Sequence, residues 1–111
     1  MEPEKLYDIL SKFAKSRGWE LNKDKESVMF ILEGLLENEK RYGYRACPCR
    51  LHWGDKEKDK DVICPCEYSA EDIEEYGSCY CTLYVSPEWN KETVEKRLVP
   101  ERRPQEKIPL M

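Results

Sequence analysis

A chain of 111 residues is long enough for one compact domain and too short for two ordinary ones. Charged residues make up 38% of the chain and apolar residues 40%, so the core must be thin, and an inorganic centre would help to hold the fold together. The net charge of −4 argues against a nucleic-acid-binding domain that relies on a broad basic surface. We therefore predict a single domain over residues 1–111 with no nucleic-acid partner.

The N-terminal residues lack the features of a targeting or membrane segment. Residues 1–5 have neither the basic start nor the long apolar stretch of a secretory signal. The longest uninterrupted apolar run, residues 28–32, is far short of the roughly 20 residues that a bilayer-spanning helix needs. We expect a soluble, cytoplasmic protein with no membrane partner. In a reducing cytosol, cysteines are more often metal ligands or redox catalysts than members of static disulfides.

Two amphipathic helices are predicted before the first cysteine. The first spans residues 3–17, with apolar side chains at helical spacing and Gly18 as its stop. The second is capped by Asn22 or Asp24 and runs to about Lys40 with an apolar stripe of its own. Both stripes are interpreted as core, so these helices are given no chemical role.

All six cysteines and the only histidine lie between Tyr42 and Cys81, in a stretch of turns and short elements. Within it, Ser69 and the acidic residues after it are typical of a helix start, and Gly77 is typical of a helix end. We predict a helix of about two turns there. The alternating charges of residues 55–61 are interpreted as a solvated loop rather than as the start of a helix.

One more helix and an irregular tail are predicted after the last cysteine. Ser86 is a possible cap, followed by Pro87 at the first helical position, and the helix should run to about Leu98, although Asn90 could start it instead. The tail is rich in proline and charge, so it should form neither a helix nor a core, and should either wrap the surface or be mobile.

These elements divide the predicted domain into four parts. They are a helical N-terminal part (1–41), a functional region (42–85), a C-terminal helix (86–98) and a tail (99–111). Because no segment shows sustained strand alternation, the fold class is predicted to be all-α. The N-terminal helices would flank a region of loops and short helices that carries the cysteines.

The cysteines form three dyads with one residue between their members. The dyads are Cys47-Pro48-Cys49, Cys64-Pro65-Cys66 and Cys79-Tyr80-Cys81. The members of one dyad are poorly placed for a disulfide with each other, because the ring would be small and the preferred dihedral hard to reach. The prolines stiffen the backbone, so side chains two positions apart can be aimed at one site.

Several kinds of site remain open from the residues alone. A structural zinc site, as in a non-enzymatic zinc-stabilised binding module, usually has cysteine knuckles with longer spacing and would leave two thiols unused. Three structural disulfides fit the even count but conflict with a reducing compartment. An iron–sulfur cluster with four thiolates and a redox-active pair uses all six cysteines. This last interpretation is favoured, with a simple iron–sulfur electron carrier as a further alternative.

The dyads and their neighbours resemble the catalytic (beta) subunit family of ferredoxin:thioredoxin reductase. The signature of that family is two Cys-Pro-Cys dyads followed by a Cys-His-Cys dyad. Tyr42-Gly43, Arg50 and Leu83-Tyr84 are also similar to the family, and the resemblance covers roughly residues 5–90. It implies a ferredoxin-dependent disulfide reductase that contains a 4Fe–4S cluster.

The resemblance also implies a role for each cysteine. The cluster ligands would be Cys47, Cys64, Cys66 and Cys79. The two remaining thiols, Cys49 and Cys81, would form a redox-active disulfide beside the cluster, with Cys49 as the thiol that attacks the substrate. Electrons would pass from ferredoxin through the cluster to this disulfide, and on to a thioredoxin or glutaredoxin-like protein. A second, noncatalytic subunit is left open.

One position departs from the family pattern. Tyr80 stands where the family has a histidine that is thought to assist proton transfer. A tyrosine hydroxyl, with a pKa near 10, is less suited to that work at neutral pH than an imidazole with a pKa near 6.5. His52, three residues after Cys49, is therefore a candidate catalytic residue that could replace it if the loop folds back. Otherwise it is an exposed loop residue.

Overall fold

The computed structural model describes residues 1–109, which contain five α-helices, two short strands and two 3-10 helices. In chain order these are α1 (Pro3–Ser16), β1 (Glu20–Leu21), α2 (Lys25–Tyr42), α3 (Lys56–Asp59), a 3-10 helix (Lys60–Val62), α4 (Ser69–Tyr76), β2 (Tyr84–Val85), α5 (Pro87–Asn90) and a second 3-10 helix (Gln105–Lys107). The radius of gyration, 13.6 Å, is that of a single domain of this length.

The two long helices form where the sequence predicts them. α1 begins with Pro3, whose fixed φ suits the first turn of a helix. Asp24, rather than Asn22, caps α2, and its carboxylate accepts a hydrogen bond from the Ser27 backbone N–H at 3.3 Å. α2 ends at Gly43, whose φ of +86° is a left-handed conformation that glycine adopts without strain. Both predicted helices are confirmed.

The apolar faces of α1 and α2 pack against each other and extend into the cysteine region. The core residues that they contribute are fully or nearly fully buried: Leu6, Leu10, Ala14, Val28, Ile31, Leu32 and Leu35. Cys79, Leu83 and Tyr84 belong to the same cluster. The third dyad is therefore anchored directly in the hydrophobic core.

A two-stranded antiparallel sheet corrects the all-α prediction. Leu21 of β1 pairs with Tyr84 of β2, and Glu20 pairs with Val85. Each strand has only two residues, so neither shows the alternation by which a strand is recognised in a sequence. The domain is helical with this one small sheet among its described residues. Through this sheet, the segment that follows the third dyad pairs with the connection between α1 and α2.

Residues 56–62 are helical, so the interpretation of residues 55–61 as a solvated loop was wrong. Asp55 caps α3 by accepting a hydrogen bond from the Glu57 backbone N–H at 3.0 Å. Asp59 and Asp61 are buried, at 0% and 2% exposure. The Tyr44 hydroxyl donates to Asp59 at 2.6 Å, and this compensates part of the cost of burying the carboxylate. In this short helical segment, Asp59 and Asp61 are therefore buried, whereas the other charged residues are exposed.

The predicted C-terminal helix over 86–98 was too long. Ser86 and Pro87 start α5 as expected, but the helix ends at Asn90. Glu92 has a φ of +60°, which is incompatible with a continuing right-handed helix. All residues in the range 91–98 are exposed, so a longer helix would have had no apolar face to bury.

The tail follows the protein surface and is more ordered than predicted. It contains the 3-10 helix Gln105–Lys107, and the Trp53 indole N–H donates to the Lys107 carbonyl oxygen at 2.8 Å. Arg103 is only 3% exposed. The tail therefore wraps the surface, which was one of the two expected outcomes, but the expectation that it forms no helix was wrong.

No helix in residues 1–109 combines the length and the apolar character that crossing a membrane requires.

Candidate functional site

The first two dyads are brought together by an isolated antiparallel bridge between Ala46 and Ile63. The Cys47 backbone N–H donates to the Val62 carbonyl oxygen at 2.9 Å, and the Cys64 backbone N–H donates to the Arg45 carbonyl oxygen at 2.8 Å. Ladder bonds of this kind fix the relative position of two chain segments. The first dyad and the second dyad therefore lie side by side.

The third dyad is a turn that closes onto β2. The Cys79 backbone N–H donates to the Tyr84 carbonyl oxygen at 2.9 Å, and the Thr82 backbone N–H donates to the Cys79 carbonyl oxygen at 3.0 Å. Ser78 forms an isolated bridge with Val85. Since β2 is buried in the core, this dyad is held at the base of the site.

A glycine in α2 allows the first dyad to approach the helix closely. A Cβ atom at Gly34 would lie 2.8 Å from the Cβ of Pro48, the residue between Cys47 and Cys49. A contact this short would force the neighbouring atoms apart. Only glycine allows α2 and the first dyad to lie this close together.

The six cysteines are all free and differ in exposure. Cys47 and Cys79 are buried, at 4% and 2% exposure. Cys49 is exposed, and the remaining three are half-buried. Of the six thiols, that of Cys49 is therefore the most accessible to a protein partner.

The thiols of the first and third dyads interact with each other. The sulfur atoms of Cys79 and Cys81 are 3.8 Å apart. Hydrogen bonds from the Cys47 and Cys81 thiols lower the pKa of Cys49 to about 3, and the charge of Arg50 acts in the same direction. Hydrogen bonding with Cys47 and Cys49 raises the pKa of Cys81 well above its usual value. The same contacts therefore lower the pKa of Cys49 and raise that of Cys81.

The second dyad shares the same environment. Burial raises the pKa of Cys64 well above its usual value, and the nearby thiols of Cys47, Cys79 and Cys66 raise it further. Burial also raises the pKa of Cys66, although the Ser69 hydroxyl, 3.1 Å from its sulfur, opposes this. The four cysteines predicted as cluster ligands are thus close enough to influence one another's ionisation.

The donor set matches the chemistry of an iron–sulfur cluster. Within residues 1–109, no three cysteine, histidine or acidic side chains converge as they would around one metal ion. A 4Fe–4S cluster does not need such convergence, because each of its irons takes a separate thiolate. The Tyr84 backbone N–H donates to the Cys79 sulfur at 3.3 Å, a contact that stabilises a thiolate ligand. The cysteines predicted as ligands therefore fit this group.

His52 lies beside the backbone of the first dyad. Its Nε2 atom is 3.2 Å from the Cys47 carbonyl oxygen, and its ring packs edge-on against Tyr42 with centroids 5.4 Å apart. The side chain is half-buried, so the alternative prediction that His52 is an exposed loop residue was wrong. Its role as a proton donor stays a prediction.

Tyr80 packs against Arg50. The Arg50 guanidinium lies over the Tyr80 ring at 4.5 Å from its centroid. Glu101 in the tail and Asp72 in α4 face the same guanidinium. Sequence reasoning gave Glu101 no role, and it gave Asp72 only a place in the first turn of a predicted helix. Only Arg50 had a signal, which was its position directly after the first dyad.

Comparison with known families gives a match over nearly the whole chain. The family model described as ferredoxin thioredoxin reductase catalytic beta chain matches residues 2–105. Comparison with curated protein sequences gave no significant match. The family match agrees with the resemblance that the dyads indicated. The chain therefore belongs to the family of the ferredoxin thioredoxin reductase catalytic beta chain.

Proposed function

We propose that the chain is a cytoplasmic iron–sulfur disulfide reductase that passes electrons from reduced ferredoxin to the disulfide of a thioredoxin or glutaredoxin-like protein. The observation that carries this proposal is the meeting of three dyads in one site, with Cys49 exposed. The Ala46–Ile63 bridge joins the first two dyads, and the Cys81 thiol of the third interacts with Cys47 and Cys49 of the first. Membership of the family supports both partners. Six free cysteines are typical of a reducing compartment, which supports the cytoplasmic location.

Four cysteines would hold the cluster: Cys47, Cys64, Cys66 and Cys79. When bound, the 4Fe–4S cluster supplies electrons one at a time, whereas the reduction of a disulfide takes two. The protein's part is to bury these ligands and to place the remaining thiols beside them. Cys47 and Cys79, the most buried of the set, keep water away from that side of the site.

Cys49 and Cys81 would carry out the exchange with the substrate. The Cys49 thiolate attacks one sulfur of the partner's disulfide, and the other partner sulfur leaves as a thiolate that takes up a proton. The Cys81 thiol then loses its proton and attacks Cys49 in the mixed disulfide. This forms the Cys49–Cys81 disulfide and releases the partner as a dithiol. Two electrons have moved to the partner, so two electrons and one proton must restore the Cys49 thiolate and the Cys81 thiol.

The exposure of the two thiols supports this division of roles. The attacking thiol must reach a protein substrate, and Cys49 is the exposed member of the pair. The resolving thiol must lie beside the attacking one, and Cys81 is half-buried among the other thiols. A low pKa at Cys49 favours the thiolate, which is the nucleophilic form.

The first experiment is a measurement of iron, acid-labile sulfide and zinc in protein purified without air. We expect equal amounts of iron and sulfide, a brown colour and broad visible absorption. A colourless protein that contains zinc would instead establish the metal-stabilised binding module. Thiol counting before and after reduction separates the reductase from a simple electron carrier, because only the reductase gains a thiol pair.

The second experiment traps the substrate complex. A thioredoxin whose resolving cysteine is changed to serine keeps one thiol, which should attack the Cys49–Cys81 disulfide of the oxidised protein and form a mixed disulfide while Cys81 leaves as a thiolate. The complex should persist, because the partner has no second thiol that could displace the protein from it. Mass spectrometry should locate the bond at Cys49. A bond at Cys81 would show that the two thiols have exchanged roles.

A further inference from the structure

Arg50 contacts residues attached to all three dyads. It follows Cys49 directly in the chain, and its guanidinium carbon lies 5.3 Å from the ring centroid of Tyr68 and 4.5 Å from that of Tyr80. Tyr68 comes two residues after Cys66, and Tyr80 separates the members of the third dyad. One cation thus contacts the aromatic rings of two tyrosines that adjoin the second and third dyads.

The guanidinium of Arg50 is buried, and only some of its hydrogen-bond donors have a partner. Its side chain is 0% exposed. One terminal nitrogen pairs with Glu101, whereas Nη2 lies 4.0 Å from the Asp72 carboxylate, which is too far for a hydrogen bond. Within the described part of the chain, neither Nε nor Nη2 has a hydrogen-bond partner. Burying such donors without an acceptor costs free energy, so they should face an anionic group in the working protein.

We propose that Arg50 is a positioning residue that compensates the negative charge of the iron–sulfur cluster and its thiolate ligands through its free Nε and Nη2 donors. The inference rests on the proposed function, because it requires that the four cysteines hold the cluster. A cluster with four thiolate ligands is anionic, and its reduction potential depends on nearby charge and hydrogen bonds.

A purely structural role makes a different prediction. If Arg50 only cross-links Glu101 to the two tyrosine rings, its replacement should lower stability and leave the electronic properties of the cluster unchanged. If it compensates charge, the midpoint potential of the cluster should change. The potential therefore separates the two roles even when both variants lose stability.

The test is a redox titration of anaerobically purified protein, followed by electron paramagnetic resonance. Arg50→Gln removes the charge, so adding an electron becomes harder and the midpoint potential should shift to a more negative value. Arg50→Lys keeps the charge and should lie nearer to wild type. Arg41→Gln is the matched control, because it loses the same charge but pairs, within residues 1–109, only with the exposed Glu37 on α2 and shares no carboxylate with Arg50. Equal shifts in Arg50→Gln and Arg41→Gln would overturn the inference.

A second variant covers the case in which Arg50→Gln does not retain its cluster. Glu101 neutralises part of the Arg50 charge from the tail and is itself 29% exposed in its side chain. Glu101→Gln should therefore shift the midpoint potential in the opposite direction, to a more positive value. An unchanged or more negative potential would contradict the inference. A wild-type protein without iron and sulfide would refute the proposed function as well. A midpoint potential that changes in neither the Arg50 nor the Glu101 variant would refute the inference alone.

Discussion

Arg103 and Asp61 form a buried ion pair between the tail and the segment before the second dyad. The Arg103 Nε donates to Asp61 Oδ2 at 2.9 Å, and its Nη2 donates to Oδ1 at 3.2 Å. The two residues are 3% and 2% exposed. Arg103 also donates to the Leu51 carbonyl oxygen at 3.0 Å, so a single tail residue ties the end of the chain to both ends of the segment between the first and second dyads.

We expect Arg103→Met to destabilise the domain. Removing one partner of a buried ion pair leaves an uncompensated charge and typically costs about 3–5 kcal/mol. The free energy of unfolding in urea, measured by circular dichroism, checks this. Arg97→Met is the control, because Arg97 makes an exposed hydrogen bond to the Glu75 carbonyl oxygen and should matter little. Similar small losses in both variants would show that the tail is not anchored through Arg103.

The same ion pair should make stability depend on pH. Burial alone would raise the pKa of Asp61, but hydrogen bonds from the Tyr68 hydroxyl and the Arg103 guanidinium outweigh it, so the pKa is lower than its usual value of 3.8. A carboxylate with a lowered pKa stabilises the folded state above its unfolded-state pKa, and this contribution is lost as the pH falls through the lowered value. Asp59, also near Arg103, adds a second negative charge.

Asp61→Asn measures this contribution directly. We expect the difference in unfolding free energy between wild type and variant to be constant from neutral pH down to about 3.8 and to shrink below it. Comparing the two proteins at each pH removes effects that both share, such as the loss of iron in acid. A difference that grows as the pH falls would contradict the assigned direction.

Gly34→Ala tests the contact between α2 and the first dyad. Alanine in place of glycine normally favours a helix by about 1 kcal/mol. Here the new methyl group would meet Pro48 at 2.8 Å, and such overpacking typically costs about 1–3 kcal/mol. We therefore expect lower stability and a lower iron content after purification. Glu33→Ala, at an exposed position of the same helix, should change neither quantity. A more stable Gly34→Ala protein with full iron content would show that the dyad moves aside without cost.

Cys64→Ser should remove or damage the cluster. Because the free energy of cluster binding is part of the free energy of folding, the variant should also unfold at lower urea concentration. Iron and sulfide analysis together with urea unfolding checks both effects, and Cys66→Ser should behave in the same way. Cys81→Ser is the comparison, since it changes a cysteine outside the proposed ligand set. Full iron in Cys64→Ser would show that the ligand set is wrong.

Cys49→Ser should retain the cluster and lose the reaction. With the four proposed ligands intact, the variant should contain as much iron as wild type and still be reduced by one electron. It should form no mixed disulfide with a thioredoxin-like partner, because the attacking thiol is missing. Non-reducing electrophoresis and iron analysis of the same sample measure both properties.

Cys81→Ser should differ from Cys49→Ser in the same assay. It keeps the attacking thiol but lacks the resolving one, so the mixed disulfide should form and persist. Continued turnover in Cys81→Ser would exclude its resolving role. Loss of iron from Cys49→Ser would make Cys49 a ligand, and the assignment of all six cysteines would have to change.

Local sequence determined the main helices and the existence of the cysteine site. α1 and α2 follow from the spacing of their apolar residues and from the caps at Pro3 and Asp24, which act within one turn of the chain. The short helix ending at Gly77 follows in the same way. The dyads identified the redox region because their spacing restricts the partners that a cysteine can reach.

The tertiary structure alone decided which charges are buried. Asp61, Asp72 and Arg103 resemble any other charged surface residue in the sequence, since each acquires its burial from partners 30 or more residues away. The end of α5 and the pairing of β1 with β2 depend in the same way on what packs beside them. Local pattern records the preferences of adjacent residues, whereas the cost of burying a charge is set by its partners in the fold, and these partners become neighbours only when the chain is folded.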